Sequence, residues 1–301
     1  MAHPVSKLFR WRPVTAWGVV GVMIAVACAI ESGLQIDWIN LLLVGIAVLI
    51  IQGIIAHGVN DLADEEVDRI APLEETGRSK ILVSGEMSRE CLFAITSAAV
   101  ITVFFIIILL AMRAGPIVYF FAAFACYAVF GYSCKPLKLG WHPFSELTVV
   151  VPTITMLILG VMYVMTSSVT PTALLVGISY GFFNASWFMY SRAQDYEADK
   201  AMGKITTIVS FGLDATPGLA VMYLFTGFVF SVFAAVYMHL SAGILVVAAY
   251  GIPALVYTIA IKVDANRLRP EICAKLRVQG IACTVLYGVF ASLTIIREGL
   301  L

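Results

Sequence analysis

Nine long runs of mostly apolar residues follow one another along the chain, and shorter polar segments separate them. Each run is close to the roughly 20 apolar residues that an α-helix needs to cross the hydrocarbon core of a bilayer. The pattern therefore predicts an all-α, polytopic membrane protein whose nine transmembrane helices pack as a bundle. The predicted helices lie at about residues 14–32, 39–58, 91–111, 116–133, 144–165, 172–190, 217–238, 242–262 and 279–296.

The composition supports a membrane location. Of the 301 residues, 61% are hydrophobic and only 13% are charged, whereas a soluble domain carries about 25% charged residues. The formal net charge is +0, so the chain has no excess of basic residues that would attract nucleic acid. We therefore expect the lipid bilayer as a partner, and no nucleic acid.

The basic residues indicate which side of the membrane each loop faces. If the nine helices alternate in direction, the N-terminus and the loops 59–90, 134–143, 191–216 and 263–278 share one side. All of the 19 Lys and Arg residues fall on that side except Arg113 and Arg297. Because cytoplasmic loops carry the excess of Lys and Arg, the N-terminus and these loops are predicted to be cytoplasmic.

Two of the cytoplasmic loops carry clustered acidic residues. The stretch HGVNDLADEEVDRI, residues 57–70, follows the second predicted helix, and RAQDYEADKAMGKITT, residues 192–207, follows the sixth. This placement predicts a four-helix unit used twice, at about 14–133 and 144–262. A ninth helix at about 279–296 completes a single domain over residues 1–301.

The spacing of the acids predicts that they share a face. On a helix that continues out of the membrane, Asp64 lies about 60° and Asp68 about 20° from Asp61, and Asp195 lies about 40° from Asp199. Like charges at this spacing destabilise a helix. Because the pattern recurs in two equivalent loops and basic residues follow it in each, a bound cation explains it better than a solvated acidic face. Mg²⁺ prefers oxygen ligands and is typically held by carboxylates together with substrate phosphates. The sequence therefore predicts a magnesium–diphosphate site.

At these residues the sequence resembles the UbiA superfamily of intramembrane aromatic prenyltransferases. NDLADEEVD fits the first motif of that family, NDxxDxxxD, and DYEADKAMGKITT fits the second, DxxxD followed by a Gly-Lys/Thr element. YSCKPLKLG is similar to the family's loop after the fourth helix, and RSKILVSG to its basic turn. The resemblance covers nearly the whole chain.

The resemblance implies transfer of a prenyl chain from a polyprenyl diphosphate, of geranyl length or longer, to an acceptor that is usually aromatic. It implies two Mg²⁺ ions, with a catalytic role for the acids and for Tyr132. The implied metal ligands are Asn60, Asp61, Asp64, Asp68, Asp195 and Asp199. The implied substrate-binding residues are Asn60, Arg78, Lys80, Ser133, Lys138 and Lys204. Candidates for stabilising an allylic cation are Tyr127, Phe130, Tyr132, Trp187 and Tyr190.

Several alternatives stay open at this stage. A transporter is one, although its acids would be expected within the membrane and these lie at the loop entrances. A CDP-alcohol phosphotransferase also uses Mg²⁺ in the membrane, but nothing here matches its motif, and a structural membrane protein would not need two matched acidic stripes. Within the family, the GKIT element favours a quinone precursor such as a dihydroxynaphthoate, beside a hydroxybenzoate, a glyceryl phosphate ether lipid, or a haem or chlorophyll precursor. His57 is either a packing residue or a substrate contact. Asn184 either bonds between helices or lines a cavity.

The predicted topology can be tested with single cysteines in a cysteine-free variant. We expect Glu74→Cys and Ala201→Cys to react with a membrane-impermeant thiol reagent from the same side, and Ser168→Cys from the opposite side. Labelling of inside-out and right-side-out vesicles measures this. Labelling of positions 74 and 201 from different sides would contradict both the repeat and the shared active site.

Overall fold

The computed structural model describes residue 9 and residues 14–70, 81–265 and 268–300. These residues form helices joined by short loops, and no strand occurs among them. In chain order the helices are α1 Val14–Glu31, α2 Trp38–Ala63, α3 Glu65–Ile70, α4 Arg89–Ala114, α5 Val118–Gly131, α6 Glu146–Thr166, α7 Pro171–Ala193, α8 Tyr196–Ala201, α9 Thr207–Phe211, α10 Leu213–Ala235, α11 Leu240–Asp264 and α12 Pro270–Gly299.

A helix lies at each position where the apolar runs predict one. Seven of them, α1, α2, α4, α6, α10, α11 and α12, are long and apolar enough to cross a membrane. Helix α5 is apolar but short, at about 21 Å. Helix α7 is long but carries buried polar residues such as Ser179 and Asn184. The all-helical membrane architecture is therefore confirmed, whereas nine crossings stay a prediction.

Helix α7 lies at the centre of the bundle, where it contacts α6, α10 and α12. Its contact with α6 depends on Gly181, because a Cβ atom there would lie 2.9 Å from the backbone oxygen of Val151. The rings of Phe183, Tyr250 and Tyr287 fill the space between α7, α11 and α12, with centroids 4.8 to 5.9 Å apart. This packing fixes the middle of α7, and the second acidic motif follows the C-terminal end of the same helix.

The two acidic motifs each lie at a bend, not on one straight helix as the sequence analysis assumed. Helix α2 ends before Asp64, whose backbone has φ −103° and ψ 14°, and Asp195 has φ −96° and ψ 7° between α7 and α8. Helical hydrogen bonding resumes directly after each bend, since Asp68 N donates to Asp64 O over 2.9 Å and Asp199 N to Asp195 O over 2.7 Å. The straight-helix angles are therefore wrong in detail, although the local helical spacing is kept.

At the end of the bundle remote from the acidic motifs, polar side chains join three helices. Arg113 of α4 forms an ion pair of 2.9 Å with Asp37 and donates to the Asn40 side chain over 2.6 Å. Asn40 in turn donates to the Val164 carbonyl of α6 over 3.0 Å. These bonds hold α2, α4 and α6 together at the end of the bundle that is remote from the acidic motifs.

Candidate active site

A cavity of about 600 Å³ lies between the two acidic motifs. It is lined by residues from most of the long helices and from the polar segments that follow them. Among the predicted site residues, those that line it are Asn60, Asp64, Asp68, Tyr132, Ser133, Asp195, Asp199 and Lys204. The structure therefore brings both motifs to one cavity.

Four π-helical turns surround this cavity. They are Val14–Val19, Ile51–Ile55, Tyr127–Gly131 and Glu146–Val150. Each contributes lining residues, namely Trp17 from the first, Gln52 from the second, Ala128 and Val129 from the third, and Val149 and Val150 from the fourth. A π turn is rare and occurs frequently at functional sites. Their shared location is independent support for placing the functional site here.

The ammonium group of Lys204 lies between the two motifs. Its Nζ atom is 3.1 Å from Asp199 Oδ1 and 3.6 Å from Asp64 Oδ2. The side chain is only 3% exposed, so water screens these interactions little. One buried cation therefore neutralises carboxylates from both acidic motifs.

The Gly-Lys-Ile-Thr-Thr element turns the chain so that the Lys204 side chain reaches Asp64 and Asp199. Gly203 follows α8 with φ +71°, a conformation that glycine adopts without steric cost. Lys204 N donates to Asp199 O over 2.9 Å, which closes the C-terminus of α8. Thr206 caps α9 by accepting from Val209 N, and Thr207 donates to the buried Glu146 over 2.7 Å. The motif thus fixes Lys204 through backbone turns on both sides.

Arg192 is a site residue that the sequence analysis missed. It is buried at the end of α7 and lines the cavity. Its Nη2 atom donates to the Tyr132 hydroxyl and to Gly140 O, the latter over 2.8 Å, and its Nη1 atom lies 3.9 Å from Asp199 Oδ2. The sequence does contain a signal for Arg192. It lies three residues before Asp195 and seven before Asp199, a spacing that places all three on one face of a helix.

Asp199 is the most buried of the carboxylates that line the cavity. Burial raises the pKa of its carboxyl group, and the nearby Arg192 and Lys204 oppose this rise. No described residue donates a hydrogen bond to its Oδ2 oxygen. This oxygen is a donor atom that a bound cation would satisfy.

The residues around the cavity fit a magnesium ion by their chemistry. Within the ranges 14–70, 81–265 and 268–300, no three acidic, His or Cys side chains converge closely enough to form a metal site as they stand. Instead, the Lys204 ammonium pairs with one carboxylate from each motif. Asn60, Asp64, Asp68, Asp195 and Asp199 nevertheless line the same cavity, and their side chains carry the oxygen donors that Mg²⁺ prefers.

Two predicted site residues do not line the cavity. Asp61 is 3% exposed and is not among the lining residues, although the neighbouring Asn60 is. Lys138 places its Nζ atom over the ring of Trp141, 3.7 Å from the centroid. Trp141 itself reaches the site, since its Nε1 atom donates to Asp64 Oδ1 over 3.4 Å. Arg78 and Lys80 lie outside the described residues.

Three acids in the two acidic segments, Glu65, Glu66 and Glu197, are not part of either motif and do not line the cavity. Glu65 pairs with Arg69 over 2.7 Å and with Arg89, and the hydrogen bond from Arg69 lowers the pKa of its carboxyl group. Glu66 and Glu197 are exposed, and neither lines the cavity. Of the residues near Asp64 and Asp199 in sequence, these three are therefore separated from the site.

The candidate cation-stabilising aromatics divide into two groups. Tyr132 and Trp187 line the cavity, whereas Tyr127, Phe130 and Tyr190 do not. Tyr127 instead donates to Thr148 O over 3.2 Å, and Tyr190 packs against Tyr257 with ring centroids 6.3 Å apart.

The two polar residues left open by the sequence are also placed. His57 lines the cavity. Asn184 does not; it donates to Tyr180 O over 2.9 Å and accepts from Trp187 Nε1 over 3.1 Å. All three residues belong to α7, so Asn184 bonds within its own helix, contrary to both expectations.

Comparison with known proteins identifies the family. The UbiA prenyltransferase family matches residues 19–278. The chain belongs to this family. It is therefore a prenyltransferase, and membership favours the enzyme interpretation of the acidic loops over the transporter interpretation. A search of curated protein sequences gave no significant match.

Solved UbiA homologues have the same fold over nearly the full length of this UbiA-family chain. A UbiA homologue from Archaeoglobus fulgidus bound to GPP and Mg²⁺ is 15% identical, with a TM-score of 0.68, and the match covers 98% of this chain and 99% of the homologue. The same homologue bound to DMAPP and Mg²⁺ gives 14% identity, a TM-score of 0.69, and coverage of 97% and 99%. The apo structure of a UbiA homologue from Aeropyrum pernix K1 is 12% identical, with a TM-score of 0.64, and the match covers 96% of this chain and 98% of the homologue.

The buried position of Lys204 predicts its role in the metal-free enzyme. Lys204→Met removes the counter-ion shared by Asp64 and Asp199, and breaking a buried pair in this way costs about 3–5 kcal/mol. We expect a clearly lower Tm in detergent with chelator present, measured by thermal unfolding. The exposed Lys200 is the matched control, and Lys200→Met should change stability by less than about 0.5 kcal/mol. Equal Tm values for the two variants would contradict the role of Lys204.

Proposed function

We propose that this enzyme transfers the prenyl chain of a polyprenyl diphosphate to an aromatic acceptor, with Mg²⁺ held between the two acidic motifs. The observation that carries the proposal is the single cavity that both motifs line, where Asp64 and Asp199 lie within ion-pair distance of one ammonium group. The Archaeoglobus fulgidus homologue, which binds GPP and Mg²⁺, has the same fold and therefore supports this substrate class.

Asn60, Asp64 and Asp68 would hold one magnesium ion, and Asp195 and Asp199 the other. Asp61, which belongs to the same motif, is proposed to complete the first site. When bound, the ions would supply Lewis-acid stabilisation of the charge that develops on the leaving diphosphate. Two ions, not one, are proposed because the acids come from two separate helix ends.

The chain's own cations would bind the diphosphate oxygens. Lys204 already lies between the motifs, so its ammonium can turn from the carboxylates to the diphosphate once the carboxylates hold metal. Arg78 and Lys80, and Lys138 from the loop after α5, are proposed to assist. Asn60 and Ser133 are within hydrogen-bond distance, at 3.4 Å, and would orient this end of the substrate.

Tyr132 is proposed to stabilise the allylic cation that forms when the carbon–oxygen bond breaks. Its hydroxyl accepts from Arg192, which holds the ring at the cavity wall. An aromatic face can stabilise a desolvated cation by about 2 kcal/mol. Arg192 is thereby a positioning residue, because it acts through Tyr132.

The acceptor is proposed to be an aromatic anion, such as the dihydroxynaphthoate of quinone biosynthesis. Trp17, Trp187 and Phe188 line one part of the cavity, with ring centroids 6.0 to 6.2 Å apart. Such rings suit a flat aromatic ligand. Arg277 of α12 lines the same cavity, and a guanidinium group binds carboxylates well.

We further propose that the cavity opens on the cytoplasmic side and that the chain contains two four-helix units. The distribution of Lys and Arg supports the first proposal. The second is supported by the two bends, since Asp64 follows the second long helix and Asp195 follows α7, its counterpart in the second unit.

Substitution of the acids tests the metal site. Asp61→Asn, Asp64→Asn, Asp68→Asn, Asp195→Asn and Asp199→Asn should each lower turnover at least about 100-fold, because each removes a ligand charge from a metal that stabilises the leaving group. Glu66→Gln and Glu197→Gln, in the same segments, should cost less than about tenfold. Release of diphosphate measures turnover, which a chelator should abolish and Mg²⁺ restore. Comparable losses in Glu197→Gln and Asp199→Asn would refute the placement of the second ion.

An acceptor panel tests the second substrate. We expect dihydroxynaphthoate to be prenylated in preference to a naphthalenediol without the carboxylate, a hydroxybenzoate, a glyceryl phosphate ether lipid or tetrapyrroles. Arg277→Met should raise the KM for the carboxylated acceptor about tenfold, since a charge-assisted hydrogen bond contributes more than 1 kcal/mol. Lys275→Met, on the same helix but outside the cavity lining, is the control. Preference for the ether lipid would overturn the aromatic acceptor but leave the prenyl donor intact.

A further inference from the structure

A second, smaller cavity of about 120 Å³ adjoins the first. The two cavities share Gln52, Ala128, Val129 and Thr153 as lining residues, so these four form the neck between them. Beyond the neck the smaller cavity is lined by apolar side chains of α2, α4, α5 and α6. Its continuity with the acidic site makes the prenyl chain of the donor the occupant that this cavity fits.

The smaller cavity follows one face of α6. Thr153 at the neck is followed along that face by Leu157, Gly160 and Val164, all of which line the cavity. The spacing of three or four residues keeps them on one side of the helix. Gly160 lies about 10 Å beyond Thr153 along the helix axis. A chain that enters at the neck therefore reaches Gly160 after about two helical turns.

At Gly160 the wall is formed by the ring of Phe121. A Cβ atom at Gly160 would lie 3.0 Å from Cδ1 and 3.1 Å from Cγ of that ring, so the ring rests against the bare backbone of α6. Phe121 also packs against Tyr163, with centroids 5.8 Å apart. The Tyr163 hydroxyl donates to Ala114 O over 3.3 Å. The ring of Phe121 is thus supported from two sides.

We propose that Phe121, seated against Gly160, is the side wall that limits the length of prenyl chain the enzyme accepts; this rests on the proposed function. The cavity continues past the ring to Val118 and Val164, so isoprene units that extend beyond Gly160 have to pass a ring that is held in a packed position. A smaller side chain at position 121 widens this passage, and a larger one at position 160 narrows it. The two substitutions therefore act in opposite directions.

The test compares kcat/KM for dimethylallyl, geranyl, farnesyl and geranylgeranyl diphosphate at a fixed acceptor concentration with Mg²⁺. Phe121→Ala should raise the ratio of geranylgeranyl to geranyl about tenfold relative to the unmodified enzyme, and Gly160→Leu should lower it about tenfold, as expected when methylenes are gained or lost in an apolar pocket. Phe121→Leu should shift the ratio in the same direction as Phe121→Ala. It replaces the alanine variant in the test if that variant does not fold.

Gly45→Leu is the matched control, because a Cβ atom at Gly45 meets no described atom within 4 Å. It should keep the chain-length preference of the unmodified enzyme. An unchanged preference in Phe121→Leu and Gly160→Leu, or a shift of both in one direction, would overturn the proposal. If the unmodified enzyme consumes none of the four diphosphates, the proposed function itself fails, which is a distinct result.

Discussion

The buried ion pairs of Lys204 are the interaction on which the rest of the site depends. Carboxylates buried at a membrane protein's polar end cost free energy unless a cation offsets their charge. Lys204 does this for Asp64 and Asp199 together, and Arg192 lies beside Asp199. The positive φ of Gly203, the cap of Thr206 and the bond from Thr207 to Glu146 all serve to hold that lysine in place.

The site lies where helices stop being uniformly apolar. On one side of the neck the walls are aliphatic and aromatic, and on the other they carry acids, amides and cations. This division matches a substrate with an apolar chain and a charged head, since each part leaves water for surroundings of its own polarity. Helix α7 carries the aromatic residues Trp187 and Phe188 as well as Arg192, and all three line the cavity. Its central position therefore brings aromatic and charged side chains together in one site.

The sequence predicted the helices and the convergence of the acids, because apolar periodicity and motif spacing are local properties. It did not predict the bend at Asp64, whose side chain contacts Trp141 and Lys204, residues distant in sequence. Nor did it separate Asp64, which lines the cavity, from Asp61, which does not. Arg192 was missed because a basic residue at a helix end looks like an interfacial anchor until its partners Tyr132 and Gly140 are known.

The four π-helical turns limit which sequence changes the helices can tolerate. A π turn contains one residue more than an α turn, so each helix is rotated by about 100° beyond it relative to an uninterrupted helix. Deleting one residue from Ile51–Ile55 or Tyr127–Gly131 would restore a regular helix and swing the neighbouring lining residues away from the cavity. Helix length is therefore under tighter constraint at these turns than the identity of most apolar side chains. Single-codon deletions there should be more damaging than hydrophobic exchanges in the same helices.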